Sequence, residues 1–338
     1  MRHAGLAVAL AVTVSLGLYL RWVLTGRVGL VGDFAHLRHA HSHTGYYAVL
    51  FPLAWAAWRG RGAPAPGPRA RVVYGMAVGV AFFGFVRAGY GPEAIAASTV
   101  LGALWLSSAW DLRHRMRDLS DPLGAVPLSL VGALACVPPI AMNLRTQPEV
   151  AHGFVATFLA GLLFGVVVPS ALARDAADTA APWPLLLGAG ALGALSLGAW
   201  PSIVTRAGLA VYALVVGLTV LRGGLRWHQQ LAWTAVCLGL LAMAVGLLPN
   251  TRPVALGAIH FLVLGPALGT LVPPLLRRGV PDVAWLAGYG AAAALAIPLV
   301  AQGLGAGMWT LDASAVGGSL VVVWWAGCGL WQLARDPG

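Results

Sequence analysis

The run HGFVATFLAGLLFGVVVPSALA, residues 152–173, decides the fold. After the leading His152 its only polar side chains are those of Thr157 and Ser170, and it carries no formal charge. A helix rises 1.5 Å per residue, so about 20 apolar residues cross the hydrocarbon core of a bilayer. Eleven further apolar stretches are long enough to cross, which gives twelve predicted spans: 4–24, 44–58, 72–86, 94–110, 123–142, 152–173, 183–200, 203–221, 230–248, 254–276, 283–302 and 313–334. If Asp33 caps the second helix, that helix begins earlier than marked. Composition agrees, with 59% hydrophobic and only 9% charged among 338 residues, against about 25% charged in soluble domains. The sequence reads as a single all-α polytopic membrane domain over 1–338 with no soluble module.

The net charge of +10 comes from 21 basic residues, all arginine. They fall in short clusters between apolar runs, which is a membrane-surface pattern and excludes a nucleic-acid partner. Alternate loops divide them unevenly. Arg2, Arg59, Arg61, Arg69, Arg71, Arg113, Arg115, Arg117, Arg174, Arg222, Arg226, Arg277, Arg278 and Arg335 fall on one side, and Arg21, Arg27, Arg38, Arg87, Arg145, Arg206 and Arg252 on the other. The positive-inside rule then predicts an inner (cytoplasmic) membrane location with both termini cytoplasmic. The first apolar run continues to Leu20 with no small-x-small site after it, so it reads as a helix and not as a cleaved leader. Cys136, Cys237 and Cys328 lie in separate spans, which offers no disulfide framework and no covalent haem attachment. Residues 60–68, rich in Gly, Ala and Pro, read as a cytoplasmic linker.

The quoted stretch has a relative within the chain. After His152 come Gly161, Gly165 and Pro169 at four-residue spacing, then Arg174; after His260 come Gly265, Gly269 and Pro273 at the same spacing, then Arg277. Asn143 and Arg145 precede the first copy as Asn250 and Arg252 precede the second. Helix two is a weaker third copy, with Arg27 upstream, Pro52 in its inner half, Arg59 at its end, and His39 placed before Pro52 as His260 is before Pro273. The pattern suggests a threefold repeat of four helices, 1–118, 119–225 and 226–338. Glycines at this spacing also serve close helix packing.

The nine histidines sort by side. His3, His114 and His228 sit beside arginines at the predicted cytoplasmic face. His36, His39, His41, His43, His152 and His260 all fall toward the predicted outer face, at or near the outer ends of helices two, six and ten. Ligating groups inside a span are functional candidates, because an apolar setting penalises an unpartnered polar group. His260 lies about 9 Å below the outer end of helix ten. If helix two starts at Asp33, then His36, His39 and His43 share a face and His41 points about 140° away; if the segment is extended, His39, His41 and His43 align instead. The candidate metal ligands are His39, His41, His43, His152 and His260. Imidazole suits copper, zinc and iron rather than magnesium or calcium. Glu149, three residues before His152, and Tyr46 are candidate supporting groups. Arg145 and Arg252, like Arg87 and Arg206, are candidates for neutralising an anion such as a haem propionate.

Twelve helices, inside termini, threefold repetition and histidines on helices two, six and ten resemble the catalytic subunit of haem–copper oxidases, and equally the NnrS family of haem- and copper-containing proteins linked with nitric oxide tolerance. The resemblance spans the chain as architecture. It implies that one of His39, His41 or His43 pairs with His260 on a haem and that His152 stands in a copper-ligand position. The departures are definite: helix six has no second histidine one turn on, helix seven has none, helix ten has one where the oxidases have two, no tyrosine lies near His152, and the inner half shows no acidic proton channel. A complete oxygen-reducing binuclear centre is therefore not expected. The leading expectation is a membrane oxidoreductase or gas-handling protein, with a redox, oxygen or nitric-oxide role through haem b and/or copper. The alternatives are a zinc- or copper-dependent intramembrane enzyme and a cofactor-free transporter. The bilayer is the expected partner, with a homo-oligomer or an accessory redox subunit allowed by the glycine-rich faces.

Overall fold

The computed structural model describes residues 3–64, 66–115, 121–175, 182–198, 200–276 and 279–334. Arg2, Arg117, Arg277, Arg278 and Arg335 lie outside the described residues. Among the described residues there is no strand, and the helical segments join into twelve rods. These are α1 (His3–Leu24), α2 (34–60), α3 (Pro68–Ala88), α4 (Pro92–Arg115), α5 (Pro122–Asn143), α6 (148–175), α7 (Trp183–Leu197), α8 (Ile203–Arg222), α9 (Trp227–Ala244), α10 (Arg252–Leu271), α11 (Asp282–Gly303) and α12 (Trp309–Ala334). Nine of them are long and apolar enough to cross a membrane, α2, α7 and α9 being the other three. The chain is an all-helical polytopic membrane protein.

Local chemistry sets the ends. Proline opens α3, α4, α5 and α6, where its missing N–H has no intrahelical role to lose. Asp33 caps α2, its Oδ1 accepting the His36 amide at 2.9 Å. That hydrogen bond holds the Asp33 carboxyl below its ordinary range and decides between the two readings of the histidine run: it is helical. Gly89, at φ +57°, ends α3 in a conformation that side chains resist.

The chain divides into two compact units. The first comprises Met1–Trp55, Ala65–Leu104 and Ile259–Gly338; the second comprises Ala56–Pro64 and Trp105–Ala258. In the first unit, α1 packs on α2 and α12, α11 on α12, and α2 on α3. A Cβ on Gly317 would come within 2.3 Å of the α11 backbone at Ala294, so glycine is what lets α11 and α12 approach. In the second unit, α6 packs on α5 and α7, α7 on α8, and α8 on α9. Trp58 Nε1 donates to Ser170 Oγ at 2.8 Å there, and Arg61 pairs with the buried Asp121.

Each histidine-bearing rod of the proposed repeat contains a π turn: Gly45–Leu50 in α2, Leu163–Val167 in α6 and Val263–Ala267 in α10. Among the described residues no other rod has one. In α2 and α6 the cause lies two residues on. The Phe51 amide bonds five residues back to Tyr46, and Val168 likewise to Leu163. The next residue is proline in both rods, so the carbonyls of Tyr47 and Phe164 lose their donor. Tyrosine hydroxyls replace it: Tyr74 donates to the Tyr47 carbonyl, and Tyr212 to the Phe164 carbonyl at 2.8 Å. In α10 the π turn surrounds Pro266, with Gly265 at φ −89°, ψ −105° outside helical space. It comes one turn earlier than the glycine register shared by α6 and α10 places it, because Pro266 lies ahead of Pro273.

Candidate functional site

The helical geometry of α2 divides its histidines between two faces. On one face, His36, His39 and His43 turn toward α3 and the turn after it. The His36 ring packs on Gly89, where a Cβ would lie 2.7 Å from its Cδ2. His39 meets Tyr90 with ring centroids 4.5 Å apart. His43 is buried, stacked on Phe85 at 4.2 Å, with Nδ1 3.1 Å from the Tyr47 hydroxyl and Nε2 3.0 Å from the Tyr90 hydroxyl. Both nitrogens of His43 are thus engaged by tyrosines.

His41 points the other way, toward α1. Its Nδ1 lies 3.0 Å from the Thr13 carbonyl oxygen. A carbonyl only accepts, so Nδ1 carries the proton and Nε2 keeps the lone pair that a metal needs. The ring edge rests on Gly17, where a Cβ would stand 2.6 Å from Cε1. Thr13, Gly17 and Arg21 recur every four residues and so share one face of α1. Both ring nitrogens flank the Gly17 contact, at 3.1 and 3.2 Å from the same position. The second ring is that of His260, half-buried on α10, parallel to His41 within 10° and 6.4 Å away between centroids.

The loop over this end is fastened. Tyr19 donates to the Gly29 carbonyl at 3.1 Å and accepts the Val31 amide at 2.6 Å, while Arg27 donates to Asp312 at 2.7 Å. The Asp312 carboxylate holds the Arg27 guanidinium above its ordinary range.

The sequence-derived candidates therefore fall in different places. His41 and His260 face one another; His39 and His43 belong to the aromatic cluster on the opposite face of α2. Tyr46 is buried in the π turn of α2. His152, Glu149, Arg145 and Arg252 belong to the second unit, all four exposed. No group of three or more His, Cys, Asp or Glu side chains able to hold a metal ion is present among the described residues. Sequence reasoning missed the contribution of α1. Its only signal was a polar or minimal residue every fourth position, Thr13, Gly17 and Arg21, in an otherwise apolar run.

No family model, no curated protein and no solved structure matches the chain.

Proposed function

We propose that this protein is a membrane electron-transfer protein that holds haem b between His41 and His260. The observation that carries the reading is the ring pair itself. Two imidazoles bound to one transition metal at metal–nitrogen distances of about 2 Å have centroids roughly 6 Å apart, and His41 and His260 stand at 6.4 Å with parallel planes. The Thr13 carbonyl fixes the tautomer of His41 that a ligand requires, the usual arrangement for metal-bound histidine.

A porphyrin supplies four donors of its own, so two histidines complete its iron. A bare copper or zinc ion takes three or four protein ligands, which weighs against a mononuclear site at this pair. Haem held there would supply one-electron redox chemistry. If His41 and His260 both held the iron, no position would be left on it for a gas, which favours electron transfer over direct capture of oxygen or nitric oxide. The arginine asymmetry of the loops supports placing this site toward the outer face of the cytoplasmic membrane.

The test is an oxidised-minus-reduced absorption spectrum of the detergent-purified protein with its His41→Ala, His260→Ala and His43→Ala variants. The expected result is a Soret band with low-spin haem features, lost or converted to high spin in the first two variants and retained in the third. Colourless protein, or a spectrum lost only in His43→Ala, would overturn the reading.

A further inference from the structure

α7 and α8 meet at Gly208, where a Cβ would stand 2.1 Å from Cβ of Leu192. Along one side of that contact the two rods leave an apolar groove of about 540 Å³. Leu185, Gly188 and Leu192 line it from α7, and Ile203, Ala207 and Val211 from α8; no polar or charged side chain is among its lining residues. The groove lies wholly within the second unit, and Leu185, Ile203 and Val204 are exposed at its edges. α8 is a span, Ile203–Arg222, so these edges face hydrocarbon.

The dimensions of the groove select its occupant. Gly193 meets Leu209 and Gly190 meets Tyr212, so the two rods run antiparallel. Pro184 then lies eight residues to one side of the Leu192–Gly208 contact and Ile203 five residues to the other, a length of about 20 Å at 1.5 Å per residue. Spread over that length, 540 Å³ leaves a section roughly 5–6 Å across. A helix with its side chains is about 10–12 Å wide and does not enter. An extended methylene chain, whose carbons make contact at about 4 Å, does. The surface offered is also far below the ~800 Å² per partner of a stable protein interface. Over its 15 residues α7 rises only about 22 Å, against a hydrocarbon core of about 30 Å. The bilayer must adapt beside so short a rod, and that is where the groove lies.

We propose that this groove is a lipid-binding site that holds one acyl chain of a bilayer phospholipid. Nothing in it depends on the haem reading, because His41 and His260 belong to the first unit. A chain seated there touches protein beneath it and on both sides, whereas a chain on the convex surface of a rod touches it on one side only. The seated chain therefore stays through purification while surrounding lipid exchanges for detergent.

The test is native mass spectrometry of the full-length protein in neutral detergent, before and after addition of palmitoyl-oleoyl phosphatidylcholine, whose headgroup carries no net charge for a loop arginine to hold. Gly188→Leu plugs the groove without a backbone clash, since a Cβ there meets nothing within 4 Å; Gly239→Leu, equally unhindered on α9, is the control. Gly188→Leu is expected to carry less bound phospholipid than wild type by roughly tenfold or more, and Gly239→Leu as much as wild type. Equal retention in Gly188→Leu, or none in wild type, overturns the proposal, and so does an adduct with the mass of an isoprenoid quinone in place of phospholipid. A wild-type dimer that Gly188→Leu converts to monomer assigns the groove to a second copy of the chain and overturns it too. If Gly188→Leu does not fold, wild type is offered dioctanoyl phosphatidylcholine, whose chains leave much of the groove empty. Retention weaker than that of the palmitoyl-oleoyl lipid by roughly tenfold or more is expected, and equal retention overturns the proposal.

Discussion

Replacing Gly17 by alanine puts a methyl group 2.6 Å from Cε1 of His41, where ordinary contact begins near 3.4 Å. The ring must yield by about 0.8 Å, and it is not free to do so at no cost, because Nδ1 is held 3.0 Å from the Thr13 carbonyl. Overpacking of this kind costs about 1–3 kcal/mol, partly offset by the roughly 0.5–1 kcal/mol that alanine gains over glycine within a helix. The net loss of stability is therefore small, of the order of 1 kcal/mol. The geometric consequence is larger, since metal–ligand distances tolerate about 0.2 Å and the imposed shift is several times that. Gly17→Ala is thus expected to fold nearly as well as wild type but to show a changed or lost low-spin haem spectrum. Gly75→Ala is the control, because a Cβ there meets nothing within 4 Å. Thermal unfolding followed by absorption and electron paramagnetic resonance spectra of both variants decides the matter. A Gly17→Ala protein with wild-type spectra would refute the placement of His41 against α1.

Other perturbations separate the parts of the molecule. Tyr212→Phe strands the Phe164 carbonyl in the α6 π turn, and the expected loss of about 1–3 kcal/mol appears as a lower midpoint of thermal unfolding with the haem spectrum unchanged. Tyr90→Phe removes the partner of His43 Nε2; it too is expected to lower thermal stability while leaving the Soret band as it was, which a ligand role for His43 would not allow. The Asp33 cap fails in acid. Its carboxyl is depressed by the His36 amide, so the capping contribution is complete above the ordinary carboxylate pKa and is lost as pH falls below it. Hydrogen exchange of the His36 amide, corrected for intrinsic rate, is expected to be flat from pH 7 to about 4 and faster at lower pH. Asp33→Ala is expected to show the fast rate throughout.

Much of this architecture is written in the apolar runs. Twelve stretches read from composition correspond to the twelve rods, because in a bilayer length and polarity alone dictate a helix. The capping role of Asp33 was also legible, and with it the separation of His41 from His36, His39 and His43. The choice of His41 over its neighbours was not. It depends on which face of α2 meets α1, and there Gly17 leaves room for an imidazole that a larger residue would push aside. The π turns were equally hidden: Pro52 and Pro169 enter the sequence reading only as positions in the repeat, and nothing local to them announces that Tyr74 and Tyr212, distant in sequence, would supply the missing donors. His152 was grouped with the other histidines through the repeat, yet the structure leaves it exposed in the second unit while His41 and His260 lie together in the first.

A π turn is, in sequence terms, a single inserted residue. Removing one position from Gly45–Leu50 would leave every histidine in place along the chain but rotate those of α2 by about 100° relative to the half of the rod that follows. The same holds for Val263–Ala267 and His260. The number of residues in these turns therefore sets the angular phase at which the imidazoles are presented. A site of this kind can be gained or lost in one step by an insertion or deletion, with no ligand ever substituted.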